Sequence, residues 1–353
     1  MDSKESIYQT LCVREVKEEV NDFKTIMFEE GHGIYYQAGQ YLTLVRFEGL
    51  TETRRSYSIT SSPDLQEPLS IGVKRVENGA FSRFLVDVIQ PGDSIQTTGA
   101  GGFFLLPDEA DAIRQLFFFA AGSGITPALS LIKTALYSRP ALSILLVYSN
   151  ASLAKAIFLP QLQSLQEQFG ARFKLELLFS NNADLYRARL HRDLIFAFRQ
   201  QYVEVAEEKT LYYICGPENY MRLCTATLLE SGVPADTIRR ENFQVSSEAK
   251  RDTTSPDKNT YTATIRTRSK EFSFPVPFTQ SILKAAKASG LSLPYSCEAG
   301  RCGNCVAKCV DGTVWHSYNE VLTQKELDNG LVLTCVGHPV NGNVILEIQA
   351  ADL

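Results

Sequence analysis

The stretch SCEAGRCGNC at 296–305 sets Cys297, Cys302 and Cys305 in the order Cys-x4-Cys-x2-Cys, and Cys335 follows in VLTCVGHP after 29 intervening residues. Few folds tolerate three thiols in one bend, and this spacing is one that holds a [2Fe–2S] centre. A four-residue loop of mostly small side chains (Glu298, Ala299, Gly300, Arg301) lets backbone N–H groups turn inward, Gly303 permits close approach of the chain, and the remote Cys335 completes the second iron. The oxidised group carries a charge of about −2, so inward N–H dipoles and Arg301 are expected to stabilise it. Four cysteines also suit a structural zinc ion, although zinc ligands usually come as two separated pairs. Cys12, Cys224 and Cys309 fall outside the pattern and read as small apolar side chains.

The rest of the chain is ordinary for a globular protein. A length of 353 residues predicts two or three domains, and a net charge of −5 argues against nucleic-acid binding. The N-terminus, MDSKESIYQTLCVREVKEEV, lacks the basic start and apolar run of a secretion signal, and no window reaches the roughly 18 apolar residues of a membrane span. The expectation is a cytoplasmic protein without a membrane partner, whose eight cysteines are metal ligands or incidental thiols, not disulfides.

Three textures divide the sequence. Residues 1–109 alternate apolar and polar positions in short runs (TIMFEE, QYLTLVRF, RRSYSIT, LSIGVKRV, DSIQTT), which predicts an antiparallel barrel or sandwich with a helix at FSRFLVDVI. Residues 110–243 carry apolar or β-prone runs (LFFFAA, SILLVYS, KLELLFS, TLYYICG) between helical stretches, the mark of an α/β domain with a parallel sheet. A polar linker is expected at 244–258, and a small third domain at 259–353.

Two pieces of the first domain suit a flavin. In RRSYSITSS an aromatic ring (Tyr57) can stack on a flavin, a neighbouring hydroxyl (Ser58) can reach its polar edge, and a guanidinium (Arg55) can pair with a pyrophosphate. An ordinary barrel strand with an exposed arginine reads the same way. IGVKRVENGAFSRFL sets Gly79 to Ser82 at a helix start, where free N–H groups favour phosphate, with Lys74 nearby; a plain glycine turn capped by Ser82 is the alternative. In the second domain FFFAAGSGITPALSLI is a strand, a Gly122-x-Gly124-x-x-Pro127 loop and a helix. Its glycines let a dinucleotide approach the backbone, and Thr126 is placed to touch either cofactor. YYICGPENYM puts Cys215, Gly216 and Pro217 at the end of another strand.

On these motifs, residues 8–243 resemble the ferredoxin-NADP⁺ reductase superfamily, and 259–353, through FTQSILKAAKASGLSLPYSC and the four cysteines, resemble plant-type ferredoxins. The resemblance implies an antiparallel β-barrel flavin domain, an α/β nucleotide domain and a β-grasp ferredoxin domain. FAD, with FMN left open, a [2Fe–2S] cluster and NAD(P)H are the implied cofactors. Tyr57 would stack on the isoalloxazine with Ser58 near N5, and Arg55, Lys74 and Ser82 would surround the phosphates, with Ile71, Val73, Gly79, Ala80 and Phe81 alongside. Gly122, Gly124, Thr126 and Pro127 would take the dinucleotide, Cys215, Gly216 and Pro217 would flank the nicotinamide, and Glu241 and Phe243 would lie beside the flavin. Tyr57, Ser58, Cys215 and Glu241 are thus the candidate catalytic residues, and Cys297, Cys302, Cys305 and Cys335 the metal ligands.

Relatives that prefer NADPH commonly offer arginines after the strands matching LLVYSN and LLFSN. This chain has Asn150-Ala151-Ser152 and Ser180-Asn181-Asn182 instead, with Arg187 and Arg189 further on, so the nicotinamide stays open between NADH and NADPH. The order of the modules implies an NAD(P)H-dependent reductase that receives electrons in pairs and delivers them singly to an oxygenase. RRSYSI, VKRVENGAFSRFL and the cysteine cluster are most similar to reductase components of phenylacetyl-CoA epoxidase systems, which act in phenylacetate degradation. Steroid hydroxylases, lipid desaturases and the hybrid-cluster protein are alternative acceptors, and a redox sensor is the alternative of another class. His32, His191, His316 and His338 match no ligand pattern, so any oxygen chemistry belongs to a partner.

Overall fold

The computed structural model describes residues 8–49, 51–108, 112–243, 255–267 and 270–348. They form two compact units, Tyr8–Asn242 and a second that begins at Phe243.

The alternating runs of the first texture become six antiparallel strands: β1 (Gln9–Val20), β2 (Phe23–Phe28), β3 (Tyr41–Glu48), β4 (Thr51–Ser58), β5 (Ser70–Lys74) and, after a short helix α1 (Ala80–Arg83), β6 (Ser94–Gly101). Their order is β4-β3-β6-β1-β2-β5. Both edges of that sheet meet, because Ile59 just past β4 bridges Ile71 of β5 and the Thr60 N–H donates to Ser70 O at 2.9 Å. The sheet is therefore closed into a barrel. Its interior is filled by the inward half of each alternation, including Leu11, Val13, Ile26, Leu42, Leu44, Ile71 and Val73. The expected helix at FSRFLVDVI starts as α1 and continues as a π-type turn over Phe84–Val88.

The second texture forms a parallel sheet. Its elements are β7 (Gln115–Ala121), α2 (Ile125–Ser138), β8 (Ser143–Asn150), α3 (Leu159–Phe169), β9 (Phe173–Phe179), α4 (Arg192–Tyr202), β10 (Thr210–Cys215), α5 (Glu218–Glu230) and β11 (Ile238–Glu241). The run LFFFAA is apolar throughout because β7 is central and covered on both faces. Leu116, Phe118 and Ala120 meet α2 and α3, while Phe117 and Phe119 meet α4 and α5. The order β11-β10-β7-β8-β9 reverses direction between β7 and β10. Such a reversal opens a crevice beyond the carboxyl ends of the two strands, where α/β folds bind ligands. The boundary expected at 109 and 110 lies outside the described residues.

In the second unit β12 (Tyr261–Arg266), β13 (Glu271–Val276), α6 (Ile282–Ala288), β14 (Val306–His316), α7 (Gln324–Asp328), β15 (Leu331–Leu333) and β16 (Gly337–Glu347) form a mixed sheet ordered β13-β12-β16-β14-β15. Strands β12 and β16 are parallel, and α6 buries Ile282, Leu283, Ala285 and Ala286. This is the β-grasp arrangement. Of the linker expected at 244–258, residues 244–254 lie outside the described ones, whereas Ser255 is buried and Asp257 is tied into the second unit. The Asp257 carboxylate accepts from Asn341 N (2.8 Å), Asn259 N (3.0 Å) and Tyr261 Oη (2.7 Å), and these donors hold its pKa down to about 2. No helix among the described residues is long and apolar enough to cross a membrane.

Candidate functional site

Strand β4 carries the flavin candidates to the end of the barrel. Alternation puts Arg55 and Tyr57 on one face and Ser56 and Ser58 on the other. The Tyr57 ring lies 6.0 Å from that of Phe81, and burial raises its phenol pKa against the opposing pull of Arg55. Ser58 is 4% exposed, and its Oγ is buried with no hydrogen-bond partner. An orphaned hydroxyl is costly unless a ligand satisfies it. Ile71 and Val73 send their side chains into the barrel core, so only their backbone can face a cofactor. Arg55 on β4 and Lys74 on β5 are exposed, on the two strands that the Ile59–Ile71 bridge brings together. Gly79 caps α1, whose first N–H groups, beginning at Ala80 and Phe81, have no carbonyl four residues back. The Ser82 hydroxyl braces this turn, accepting from Val76 N and donating to Gly79 O, both at 3.1 Å. The orphaned serine, the half-buried ring and the free helix start fit a flavin.

At the crevice between β7 and β10 the Gly122–Gly124 turn leads into α2, and Cys215, Gly216 and Pro217 lead into α5. A Cβ on Gly124 would fall 2.1 Å from Cys215 O, so the two loops touch only because that side chain is absent. Thr126 Oγ1 donates to Ser123 O at 2.9 Å, and Pro127 is buried in the first turn of α2. Tyr148 and Tyr220, which the motifs do not single out, steady the turn: Tyr220 Oη donates to Ala120 O at 3.3 Å, and Tyr148 Oη lies 3.3 Å from both Gly122 O and Ile157 O. Cys215 and Glu241 are neighbours across β10 and β11. Burial, and the adjacent Glu241, push the Cys215 thiol well up, so it stays protonated near neutrality. Glu241 is 8% exposed, its Oε2 has no partner, and burial lifts its pKa to about 8. A neutral carboxyl here can donate a proton or a hydrogen bond. Phe243, two residues beyond β11, is half exposed. Arg187 is ion-paired with Glu176 of β9 and lies over the Phe198 ring, whereas Arg189 is exposed.

In the second unit the four cysteines sort into two pairs. Cys305 Sγ and Cys335 Sγ are 3.1 Å apart, and Cys297 is hydrogen-bonded to Cys302. That bond, with backbone N–H groups of Ala299, Arg301 and Cys302, holds the Cys297 pKa down to about 6 against its burial. The proximity of Cys305, together with burial, raises that of Cys335. Two thiols this close cannot both ionise without a cation between them. Among the described residues no three His, Cys, Asp or Glu side chains are grouped to hold a single ion. Two pairs, one with inward N–H donors, suit a two-iron centre better than one zinc. Left-handed backbone at Glu298, Gly300 and Gly303 curls the loop. Arg301 pairs with Glu320 (3.3 Å), and its guanidinium lies 5.5 Å from the Tyr318 ring, so it ties the metal loop to the segment after β14 besides adding charge.

Three family models match the chain in succession: an oxidoreductase FAD-binding domain over residues 11–105, an oxidoreductase NAD-binding domain over 118–226 and a 2Fe-2S iron-sulfur cluster binding domain over 265–340. Fold and motifs together define an NAD(P)H oxidoreductase that uses FAD and a [2Fe–2S] cluster. One subunit of the 1,2-phenylacetyl-CoA epoxidase of Escherichia coli (strain K12) is 30% identical over 98% of this chain and 99% of its own. The ferredoxin reductase component of a 3-ketosteroid-9-alpha-monooxygenase from Mycobacterium tuberculosis (strain CDC 1551 / Oshkosh) is also 30% identical, over 95% and 94%. The structure of phthalate dioxygenase reductase superposes with a TM-score of 0.59 at 23% identity, covering 97% of this chain and 98% of that one, which attests the fold. The chain belongs to the ferredoxin-NADP⁺ reductase superfamily, in the branch with a C-terminal [2Fe–2S] domain, and is an electron-transfer reductase of the kind that serves oxygenases.

Proposed function

We propose that this reductase supplies electrons to a phenylacetyl-CoA epoxidase, the oxygenase that epoxidises the aromatic ring of phenylacetyl-CoA at positions 1 and 2. The observation that supports this acceptor is the end-to-end likeness to a component of such a system, in which each chain covers nearly all of the other. Identity to the steroid monooxygenase component is equal over slightly less of the chain, so that oxygenase is the rival acceptor.

Bound flavin exchanges electrons in pairs with nicotinamide and singly with an iron–sulfur centre. In our reading the protein's part is to hold and orient. Tyr57 covers one face of the flavin ring, Ser58 donates to its polar edge, and the α1 start with Arg55 and Lys74 meets the phosphates. The Gly122–Gly124 turn admits the dinucleotide, Cys215 and Gly216 flank the nicotinamide, and the neutral Glu241 carboxyl supplies a proton or a hydrogen bond beside the ring. Cys297 with Cys302, and Cys305 with Cys335, each take one iron.

The test mixes the purified reductase with the oxygenase subunits of either system and follows product per nicotinamide oxidised. Epoxide formed from phenylacetyl-CoA supports the assignment. Turnover with the steroid oxygenase alone overturns it in favour of the rival. A chain that reduces neither ferricyanide nor cytochrome c is no reductase, and the redox-sensor reading then stands.

A further inference from the structure

Helix α2 is buried on every side, yet Thr126, Ser130, Lys133 and Thr134 are polar. Their spacing of four, three and one residues puts them on one stripe of the helix, opposite the apolar side chains that meet the sheet. Each is engaged by the flavin barrel. A Cβ on Gly72 of β5 would fall 2.6 Å from Thr126 Cγ2, so the strand and the helix start touch directly. Ser130 Oγ donates to Ser61 O at 2.6 Å. Lys133, 5% exposed, is ion-paired with Glu67, whose carboxylate also accepts from Ser62 N at 2.8 Å. Ser62 Oγ and Thr134 Oγ1 share a hydrogen bond of 2.7 Å. Behind them Ser61 Oγ bonds to Tyr36 Oη (2.8 Å) and accepts from Ser70 N (3.1 Å).

A buried ion pair is a poor way to gain stability. Removing the ammonium from water costs several kcal/mol, and the desolvation is evident in the lowered pKa of Lys133, which Glu67 only partly opposes. An apolar stripe would hold the helix as firmly but would let it slide or roll. Directional bonds at Ser130, Lys133 and Thr134, spread along five residues or about 6 Å of helix, together with the close contact at Thr126, admit one register. The two ends of the stripe show which register is at stake. Its start is the Gly122–Gly124 turn and Thr126, and the segment it grips, Ser61–Glu67, begins three residues after Ser58.

We propose that the polar stripe of α2, with Lys133–Glu67 near its C-terminal end, is a positioning device that fixes the nucleotide domain against the flavin barrel and so sets the distance between nicotinamide and flavin. The proposal rests on the cofactor sites assigned above. Lys133 and Glu67 are positioning residues that act through α2 and the Ser61–Glu67 segment without touching either cofactor.

The test is the holoenzyme variant Lys133→Met/Glu67→Gln, in which the amide carbonyl introduced at position 67 can keep the Ser62 bond. Spin labels on unnatural side chains at the exposed Val88 and Leu229 report the separation of the two domains. The expected result is a broadened distance distribution and a kcat for NAD(P)H-dependent ferricyanide reduction that falls about tenfold or more, with KM and FAD content near those of the parent. A narrow, unshifted distribution with unchanged kcat overturns the proposal, as does a loss of Tm with neither change. Should the double variant fail to fold, Ser130→Ala is judged by the same two readouts. A parent protein that oxidises neither NADH nor NADPH would sink the reductase reading, while the distance measurement would still decide whether the stripe sets the register.

Discussion

Replacing Gly124 by alanine tests the crevice most directly. The added methyl would lie 2.1 Å from the carbonyl oxygen of Cys215, 2.4 Å from its carbon and 2.9 Å from the amide nitrogen of Gly216. An ordinary carbon–oxygen contact is about 3.3 Å, so the misfit is about 1.2 Å. All three obstacles are backbone, and no rotamer can relieve them; α2 and the β10–α5 turn must move apart. Overpacking of this kind costs about 1–3 kcal/mol, and a clash with main chain on both sides belongs at the upper end. For a unit the size of Tyr8–Asn242 about 3 kcal/mol corresponds to a Tm lower by roughly 6–12 °C. A shift of about 1 Å at the nicotinamide should also lower kcat/KM for NAD(P)H by up to about 100-fold. Gly122→Ala is the control: φ is +54° there but nothing lies within 4 Å, so strain of about 1–2 kcal/mol is the whole penalty. Differential scanning calorimetry and ferricyanide reduction measure both effects. A Gly124→Ala protein within about 2 °C of the parent and with unchanged kcat/KM would refute the close approach.

Two further outcomes follow from the site. In the flavin-free chain the folded pKa of Glu241, about 8, lies above its ordinary value of 4.5. The folded state therefore keeps a proton that the unfolded state releases, and stability is full below pH 4.5 and declines as pH rises to about 8. The whole window of 3.5 units (8 − 4.5) is worth roughly 5 kcal/mol, and Glu241→Gln should flatten that part of the profile in urea titrations; an unchanged slope would mean that the carboxyl is solvated. Replacing Cys302 by serine should abolish the visible iron–sulfur absorbance while NAD(P)H oxidation by ferricyanide persists, and joint loss of both would contradict separable flavin and cluster units.

Legibility in the sequence followed the range of the forces involved. Local patterns carried the strands: alternation marked the barrel, and unbroken runs such as LFFFAA marked a sheet covered on both faces. Cysteine spacing carried the metal loop, because ligand geometry constrains residues close in sequence. What was not legible depends on partners far apart along the chain. Nothing around Ser58 or Glu241 foretells that their oxygens are buried without partners, since that follows from how β4 and β11 end. The period of Thr126, Ser130, Lys133 and Thr134 was present in ITPALSLIKTALYS, yet polar residues on one side of a helix ordinarily mean solvent. Only burial of the opposite face and of the stripe itself distinguishes the two cases. Asp257, likewise, sits in a polar stretch that reads as linker until its donors from Asn341 and Tyr261 are seen.

The bridge between Ile59 and Ile71 makes the barrel a gauge. Because it shuts the ring of strands one residue beyond Ser58, the ends of β4 and β5 are held together by main-chain hydrogen bonds, and only the connection over residues 75–79 stands between that frame and the start of α1. A lineage that came to accept a shorter or longer flavin would have to change that connection or the side chains at either end, for the ring of strands itself stays shut.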